Sequence, residues 1–158
     1  MTQVQDSHFY RPEEGHGLAH CPLKAIVAPR PIGWISTVNA EGRANLAPYS
    51  FFNLICEQPP ILAFSSKGRK DTLRNVEQTG EFVANLATFP LAERMNVTAA
   101  ELASEVDELE HAMLERQPGR MVAVPRVAAA PAALECKALG VDEIRDLRGV
   151  GTNWYLIT

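Results

Sequence analysis

Short apolar runs separated by turn residues recur through the first half of the chain. The run from Pro29 to Val38 holds β-branched and aromatic residues after two prolines, which predicts a strand entered through a rigid X-Pro segment. Turn-forming residues follow at Asn39–Gly42, and the apolar pattern returns at Arg43–Ala47, so a hairpin is predicted. Beyond Pro59 and Pro60, the residues Ile61–Ser65 predict a buried strand. The first half is therefore mostly sheet.

Helical spacing first becomes clear after this strand. Residues Thr72–Thr79 place Leu73 and Val76 on one face, with Asp71 as a candidate N-cap and Gly80 as a candidate residue after the last turn. A further strand is predicted at 82–87. The pattern is helical again from 91 to 114, with expected breaks near 96–98 and before 107.

The last third of the chain is cut into short extended pieces by prolines. Leu134–Leu139 and Trp154–Ile157 predict late strands, and the Gly149-Val-Gly151 sequence predicts a turn before the second of them. Several short strands with two helical insertions and no βαβ alternation indicate a mostly antiparallel barrel rather than a doubly wound sheet.

Composition narrows the class of protein. A length of 158 residues suits a single domain, here with an N-terminal arm over residues 1–15. The net charge of −4 gives no general attraction to nucleic acid, and no apolar run predicts a membrane span or a secretion signal. Three widely spaced cysteines indicate a reducing cytoplasm.

The strongest candidate for an anion site is the segment Ser65–Thr72. It lies between a predicted strand and a helix N-terminus and carries hydroxyls, a glycine and the cations Lys67, Arg69 and Lys70. These groups suit a phosphate. A solvated basic loop is an equally good interpretation of these residues alone.

A second candidate surface combines Pro29–Thr37 with Asn45–Asn53. Two prolines fix the backbone around Arg30, and Gly33 beside Trp34 allows a flat ligand to approach the main chain. The aromatic residues of both segments could equally be barrel core, so the polar members carry the functional argument. They are Arg30, Ser36, Asn45 and Ser50.

These segments, taken in order, resemble the flavin reductase-like, FMN-binding split-barrel family. The similarity rests on ordered motifs from about residue 15 to the last strand: His16-Gly-Leu, Pro22, Val27–Thr37, Asn45–Asn53, Pro59-Pro60, Lys70-Asp-Thr72, Asn75, Phe82–Asn85 and Leu134-Glu-Cys136. The resemblance implies a six-stranded Greek-key split β-barrel, mainly β with helical insertions, that forms a homodimer with FMN near the subunit interface.

The resemblance also implies cofactor-binding residues. The flavin ring would lie against Arg30–Ser36 and Ala47–Phe51, the phosphate would bind in the loop before the helix, and Asn85 would face the ring. By residue, the set is Arg30, Pro31, Ile32, Trp34, Ser36, Ala47, Ser50, Phe51, Ser65, Arg69, Lys70, Thr72 and Asn85. The family chemistry is hydride transfer from NADH or NADPH to flavin, which then reduces another acceptor or passes to a partner monooxygenase. No catalytic side chain of the protein is expected.

Other interpretations remain beside this one. The chain ends where the family pattern continues into another strand, so a barrel strand and a C-terminal extension are expected to be missing, and a flavin-binding store, carrier or sensor without reductase turnover is an alternative. A non-flavin ligand-binding barrel is a third. A metal site at His16, His20 and Cys21 lacks a complete ligand set. The acidic residues between Glu101 and Glu115 are interpreted as a solvated helix face.

Overall fold

The computed structural model describes residues 7–158, which fall into two compact units. The first unit ends at Arg30 and contains a 3₁₀ turn at Pro12–Glu14 and helix α1 at Pro22–Ile26. The second unit runs from Pro31 to Thr158. Residues 1–6 of the predicted N-terminal arm lie outside the described residues, and the single-domain assignment stays a prediction.

Strands dominate the second unit. Two four-stranded antiparallel sheets have the orders β2-β1-β5-β8 and β3-β4-β10-β9, and β6 pairs with β7 in a short ribbon. The strands are β1 Gly33–Val38, β2 Ala44–Tyr49, β3 Phe52–Cys56, β4 Ile61–Lys67, β5 Glu81–Leu86, β6 Arg116–Gln117, β7 Arg126–Val127, β8 Ala133–Lys137, β9 Val141–Arg145 and β10 Gly151–Ile157. The helices are α2 Asp71–Thr79, α3 Ala92–Val97 and α4 Glu108–His111, with a 3₁₀ turn at Phe89–Leu91.

Strand β1 lies inside its sheet and is buried on both faces. Successive side chains of a strand point to opposite sides, and here both Trp34 and Ile35 are fully buried. Trp34 packs in a cluster with Leu46 and Val83, whereas Ile35 packs with Phe64 in a second cluster that includes helix α2. The continuous apolar run that predicted this strand therefore comes from two cores, one on each side.

The predicted hairpin and the first predicted helix are confirmed, with one change at the helix start. Strands β1 and β2 pair antiparallel around the turn at 39–42, and α2 buries Leu73 and Val76. Gly80 ends α2 in the left-handed conformation (φ 69°). The N-cap is Lys70, because Asp71 is already helical; the prediction of Asp71 as cap was wrong, and its carboxylate pairs with Arg74 instead.

The acidic stretch differs from its prediction. The expected breaks are present, since α3 and α4 are separated by irregular backbone at 98–107. The prediction of a solvated helix face was wrong, because Glu101 and Glu105 lie outside helices and Glu108 is buried. Asp107 starts a new helix there by accepting hydrogen bonds from the backbone N–H groups of Leu109 and Glu110, which turns Glu108 inward.

Candidate functional site

A cavity of about 370 Å³ opens between strand β2, the N-terminus of α2 and the irregular segment after α3. Its size is within the usual range for a small-molecule site. It brings together three of the predicted site residues, Ala47, Lys70 and Thr72. The full lining is Asn45, Ala47, Pro48, Tyr49, Lys70, Asp71, Thr72, Thr98, Ala99, Ala100, Glu101, Leu102 and Glu108.

Buried polar side chains join the helix N-terminus to the sheet behind this cavity. The amide of Asn45 donates hydrogen bonds to Thr72 Oγ1 (2.8 Å) and to Thr37 Oγ1 (3.3 Å). The amide of Asn75 donates to the same Thr37 oxygen at 3.0 Å. Because all four side chains are buried, these bonds fix the position of the first turn of α2 against β1 and β2.

Two ionisable groups of the cavity wall have pKa values shifted by their surroundings. Burial raises the pKa of the Tyr49 hydroxyl, and hydrogen bonds with Thr72 and Ser66 oppose that shift. Burial also raises the pKa of the Glu108 carboxyl, although the backbone N–H of Leu46 donates to it at 3.3 Å. Both groups therefore favour their neutral forms more than they would in water.

The rim of the cavity carries an exposed ion pair. Lys70 Nζ lies 2.8 Å from Glu101 Oε1, and the side chains are 53% and 84% exposed. Arg69, the neighbouring predicted phosphate ligand, is directed elsewhere: it pairs with Glu77, and its guanidinium lies 5.6 Å from the Tyr155 ring centroid. The predicted cations are thus separated, and Lys70 is the member that lines the cavity.

Three predicted residues lie in the core, under the sheet surface. Trp34 is buried and donates its indole N–H to Thr98 Oγ1 at 2.9 Å. The Asn85 amide donates to Trp34 O (3.0 Å) and Ser36 Oγ (3.2 Å), and it accepts from Val127 N (2.8 Å). Ser36 in turn donates to Pro125 O at 2.7 Å. These three side chains are buried and support the sheet from inside. They do not form an exposed surface for a flavin ring.

The remaining predicted residues are distributed over other places. Arg30 belongs to the first unit, where it donates a hydrogen bond to Lys24 O at 2.7 Å. Phe51 stacks on Trp154, with ring centroids 5.4 Å apart, and Ser65 pairs with Leu156 in the β4–β10 ladder. Pro31 and Ile32 precede β1, and the half-buried Ser50 lies between β2 and β3. Only part of the predicted set therefore lines one cavity.

The sequence did not single out the opposite wall of the cavity. That wall is formed by Thr98–Leu102, an irregular segment within a stretch whose sequence pattern predicts helix. Tyr49 also lines the cavity and stands inside the segment 45–53, but its contacts come from Thr72 and Ser66, which are distant in sequence. Long-range contacts of this kind leave no local signal.

Within residues 7–158, no group of three or more His, Cys, Asp or Glu side chains is placed to hold a metal ion. None of the helices in the same part of the chain is long and apolar enough to cross a membrane.

Comparison with known proteins gives the family and the fold. Residues 27–154 match the model of the flavin reductase-like domain. An uncharacterized protein from Aquifex aeolicus is 42% identical over 117 residues, which cover 71% of this chain and 60% of that protein. The chain spans between 55% and 60% of the length of the first curated relatives it matches.

Two solved structures illustrate the fold. Nitrilotriacetate monooxygenase component B from Bacillus cereus superposes with a TM-score of 0.86 at 28% identity, over 97% of this chain and 78% of that one. A Shewanella frigidimarina protein with a split barrel domain gives a TM-score of 0.73 at 19% identity, over 81% and 62%. The predicted fold class, a mainly β split barrel with helical insertions, is confirmed.

Proposed function

The chain belongs to the flavin reductase-like family, and on this premise we propose that it binds FMN in the cavity beside Lys70 and serves as an NADH- or NADPH-dependent flavin reductase. The observation that carries the proposal is the cavity itself. It joins Ala47 of the predicted ring surface to Lys70 and Thr72 of the predicted phosphate site, although these residues are far apart in sequence.

The donor set of the cavity fits a phosphate monoester. Lys70 supplies an ammonium group, Thr72 a hydroxyl, and the first turn of the nine-residue helix α2 supplies backbone N–H groups. The Asn45 bond to Thr72 holds this hydroxyl in place. Ala47, Pro48 and Leu102 add apolar surface to the lining, which suits the flat part of a flavin.

FMN, when bound, would supply a ring that accepts a hydride from NADH or NADPH. The contribution of this chain would be to hold the phosphate through Lys70 and Thr72 and to exclude water with the wall 98–102. Burial raises the pKa of the Glu108 carboxyl on the cavity wall, and the backbone N–H of Leu46 donates a hydrogen bond to it. We place the protein in the cytoplasm, where its three free cysteines would stay reduced.

Flavin binding and reduction can be tested separately. We expect the purified protein to quench FMN fluorescence on titration, and the visible flavin absorbance to bleach when NADH or NADPH is added without oxygen. Lys70→Ala should weaken FMN binding roughly tenfold or more and leave riboflavin, which lacks the phosphate, nearly unchanged. Lys137→Ala, an exposed lysine on β8, is the matched control. Binding without bleaching would favour a flavin carrier, and no binding would refute the proposal.

We further propose that two copies of the chain associate through the outer face of the sheet β3-β4-β10-β9. The stacked Phe51 and Trp154 and the neighbouring Leu156 leave apolar surface exposed there, with Phe51 41% and Leu156 38% exposed. Light scattering should give the mass of a dimer, and Leu156→Glu should give that of a monomer. A monomeric wild-type protein would refute this part.

A partner monooxygenase is proposed as one destination of the reduced flavin. The support is the likeness to component B of the Bacillus cereus nitrilotriacetate monooxygenase.

A further inference from the structure

Glu101 lies at the rim of the cavity. It forms an ion pair with Lys70, the cation that would bind the phosphate of a ligand. Its carboxylate oxygen is 2.8 Å from Lys70 Nζ, and both residues line the cavity. The hydrogen bond from Lys70 lowers the pKa of Glu101, so the carboxyl is ionised at neutral pH. A carboxylate and a phosphate are alternative partners for the same ammonium group.

The backbone on either side of Glu101 is anchored. Thr98, three residues before it, accepts a hydrogen bond from the buried Trp34 indole. Ser104, three residues after it, donates to Asp71 Oδ1 at 2.9 Å, and its carbonyl accepts from Arg43. These bonds hold the middle of the segment over the first turn of α2, so the fold itself presents Glu101 to Lys70.

Two other carboxyl groups line the cavity, and each has other partners. Asp71 pairs with Arg74, and the buried Glu108 accepts a hydrogen bond from the backbone N–H of Leu46. Glu101 is different, because its partner is the proposed phosphate ligand Lys70. Exposed ion pairs of this kind contribute little stability, and the Glu101 side chain can turn into water at small cost.

We propose, on the premise that FMN binds in this cavity, that Glu101 is a specificity-determining residue that competes with the ligand phosphate for Lys70. The phosphate of FMN carries close to two negative charges at neutral pH and must displace Glu101 from the ammonium group. Unphosphorylated flavin does not need this cation. Glu101 therefore lowers the affinity for FMN without lowering the affinity for riboflavin, and it keeps FMN exchangeable.

The test compares FMN and riboflavin affinities, measured by fluorescence titration, for the wild type and Glu101→Gln. The substitution should tighten FMN binding roughly two- to tenfold and leave riboflavin unchanged. Glu105→Gln is the matched control, because Glu105 is an exposed carboxylate of the same segment that does not line the cavity. It should change neither affinity.

A double-mutant cycle with Lys70→Met separates competition from general repulsion. In the Lys70→Met background, Glu101→Gln should lose most of its effect on FMN affinity, because the ammonium group for which carboxylate and phosphate compete is absent.

The proposal is overturned if Glu101→Gln weakens FMN, leaves it unchanged, or shifts both flavins equally. It is also overturned if the effect of Glu101→Gln persists in full without Lys70, or if Glu105→Gln has the same effect. If the wild type binds FMN through Lys70 but these criteria are not met, only the proposed role of Glu101 is overturned. If neither wild type nor Glu101→Gln binds FMN, the proposed function fails as well.

Discussion

The predicted ligand residues fall into two regions with opposite physical character. Trp34, Ser36 and Asn85 form a buried layer whose polar atoms bond to one another and to neighbouring backbone. Lys70 lies at an exposed rim, where its charge meets another side chain across the cavity mouth. Both groups came from the same resemblance, yet one group is enclosed in the core and the other is exposed at the cavity rim.

This difference shows what a family motif contains. The motifs of this chain contain residues that line the cavity together with residues enclosed in the core, and the sequence does not separate them. Their position relative to the cavity separates them, because Lys70 lines it and Trp34, Ser36 and Asn85 do not. Substitutions in the buried layer should therefore change stability, and substitutions at the rim should change affinity.

The largest expected effect is that of Asn85→Ala on stability. It removes an acceptor from Val127 N–H and a donor to Trp34 O inside the core, which should lower the free energy of unfolding by about 3 kcal/mol. Urea denaturation measures this loss, with Asn96→Ala on the exposed side of α3 as a control that should change by less than about 0.5 kcal/mol. If Asn85→Ala keeps its stability but loses FMN affinity, the residue faces the ligand after all.

Thr72 belongs to both regions, so it gives the next largest effect in both measurements. Its buried hydroxyl accepts from Asn45 and also faces the cavity. Thr72→Val keeps the shape and removes the hydroxyl, which should cost about 1–2 kcal/mol of stability and weaken FMN roughly tenfold. Thr72→Ser should restore most of both properties. Unfolding curves and FMN titrations of the pair decide this, and a valine variant with wild-type FMN affinity would remove Thr72 from the site.

The sequence predicted most of the framework because its signals were local. The apolar run of β1, the turn at 39–42 and the left-handed Gly80 each depend on residues that are neighbours in the chain. Strand β9 was not predicted, because Asp142, Glu143 and Arg145 mask its alternation and the strand is an exposed edge.

The cavity was predicted in part, and the missing part is the wall contributed by residues 98–102. The cations of the Ser65–Thr72 loop were visible in the sequence, but the direction of each one was not. Arg69 and Lys70 are adjacent and point to different partners, Glu77 and Glu101, because they lie at the turn into α2. Only the folded chain distinguishes them.

A smaller effect is expected for Arg69→Ala, which sharpens the contrast within the rim. Arg69 pairs with Glu77 and lies over the Tyr155 ring, outside the cavity lining. Its removal should weaken FMN by less than about threefold, well below the effect of Lys70→Ala, because its contribution is a screened charge at longer range. Parallel FMN and riboflavin titrations of both variants measure this ratio. Equal losses for the two variants would return Arg69 to the phosphate site.

The smallest expected effect is a pH dependence of the free energy of unfolding that arises from Glu108. It tests whether this residue of the cavity wall behaves like the buried residues. Burial raises the pKa of this carboxyl in the folded protein above its ordinary value of 4.5, while Asp71 and Asp107 add to the shift. The folded state then binds the proton more tightly than the unfolded chain, so the free energy of unfolding falls as the pH rises above that value.

Glu108→Gln removes this titration and keeps an oxygen to accept the Leu46 N–H. The variant should therefore gain stability relative to the wild type as the pH rises from about 4.5 toward neutrality. Urea denaturation of both proteins across that range measures the difference. A difference that stays constant with pH would mean that Glu108 is solvated like the rim residues. A difference that shrinks with rising pH would mean that the folded state stabilises the charged carboxylate.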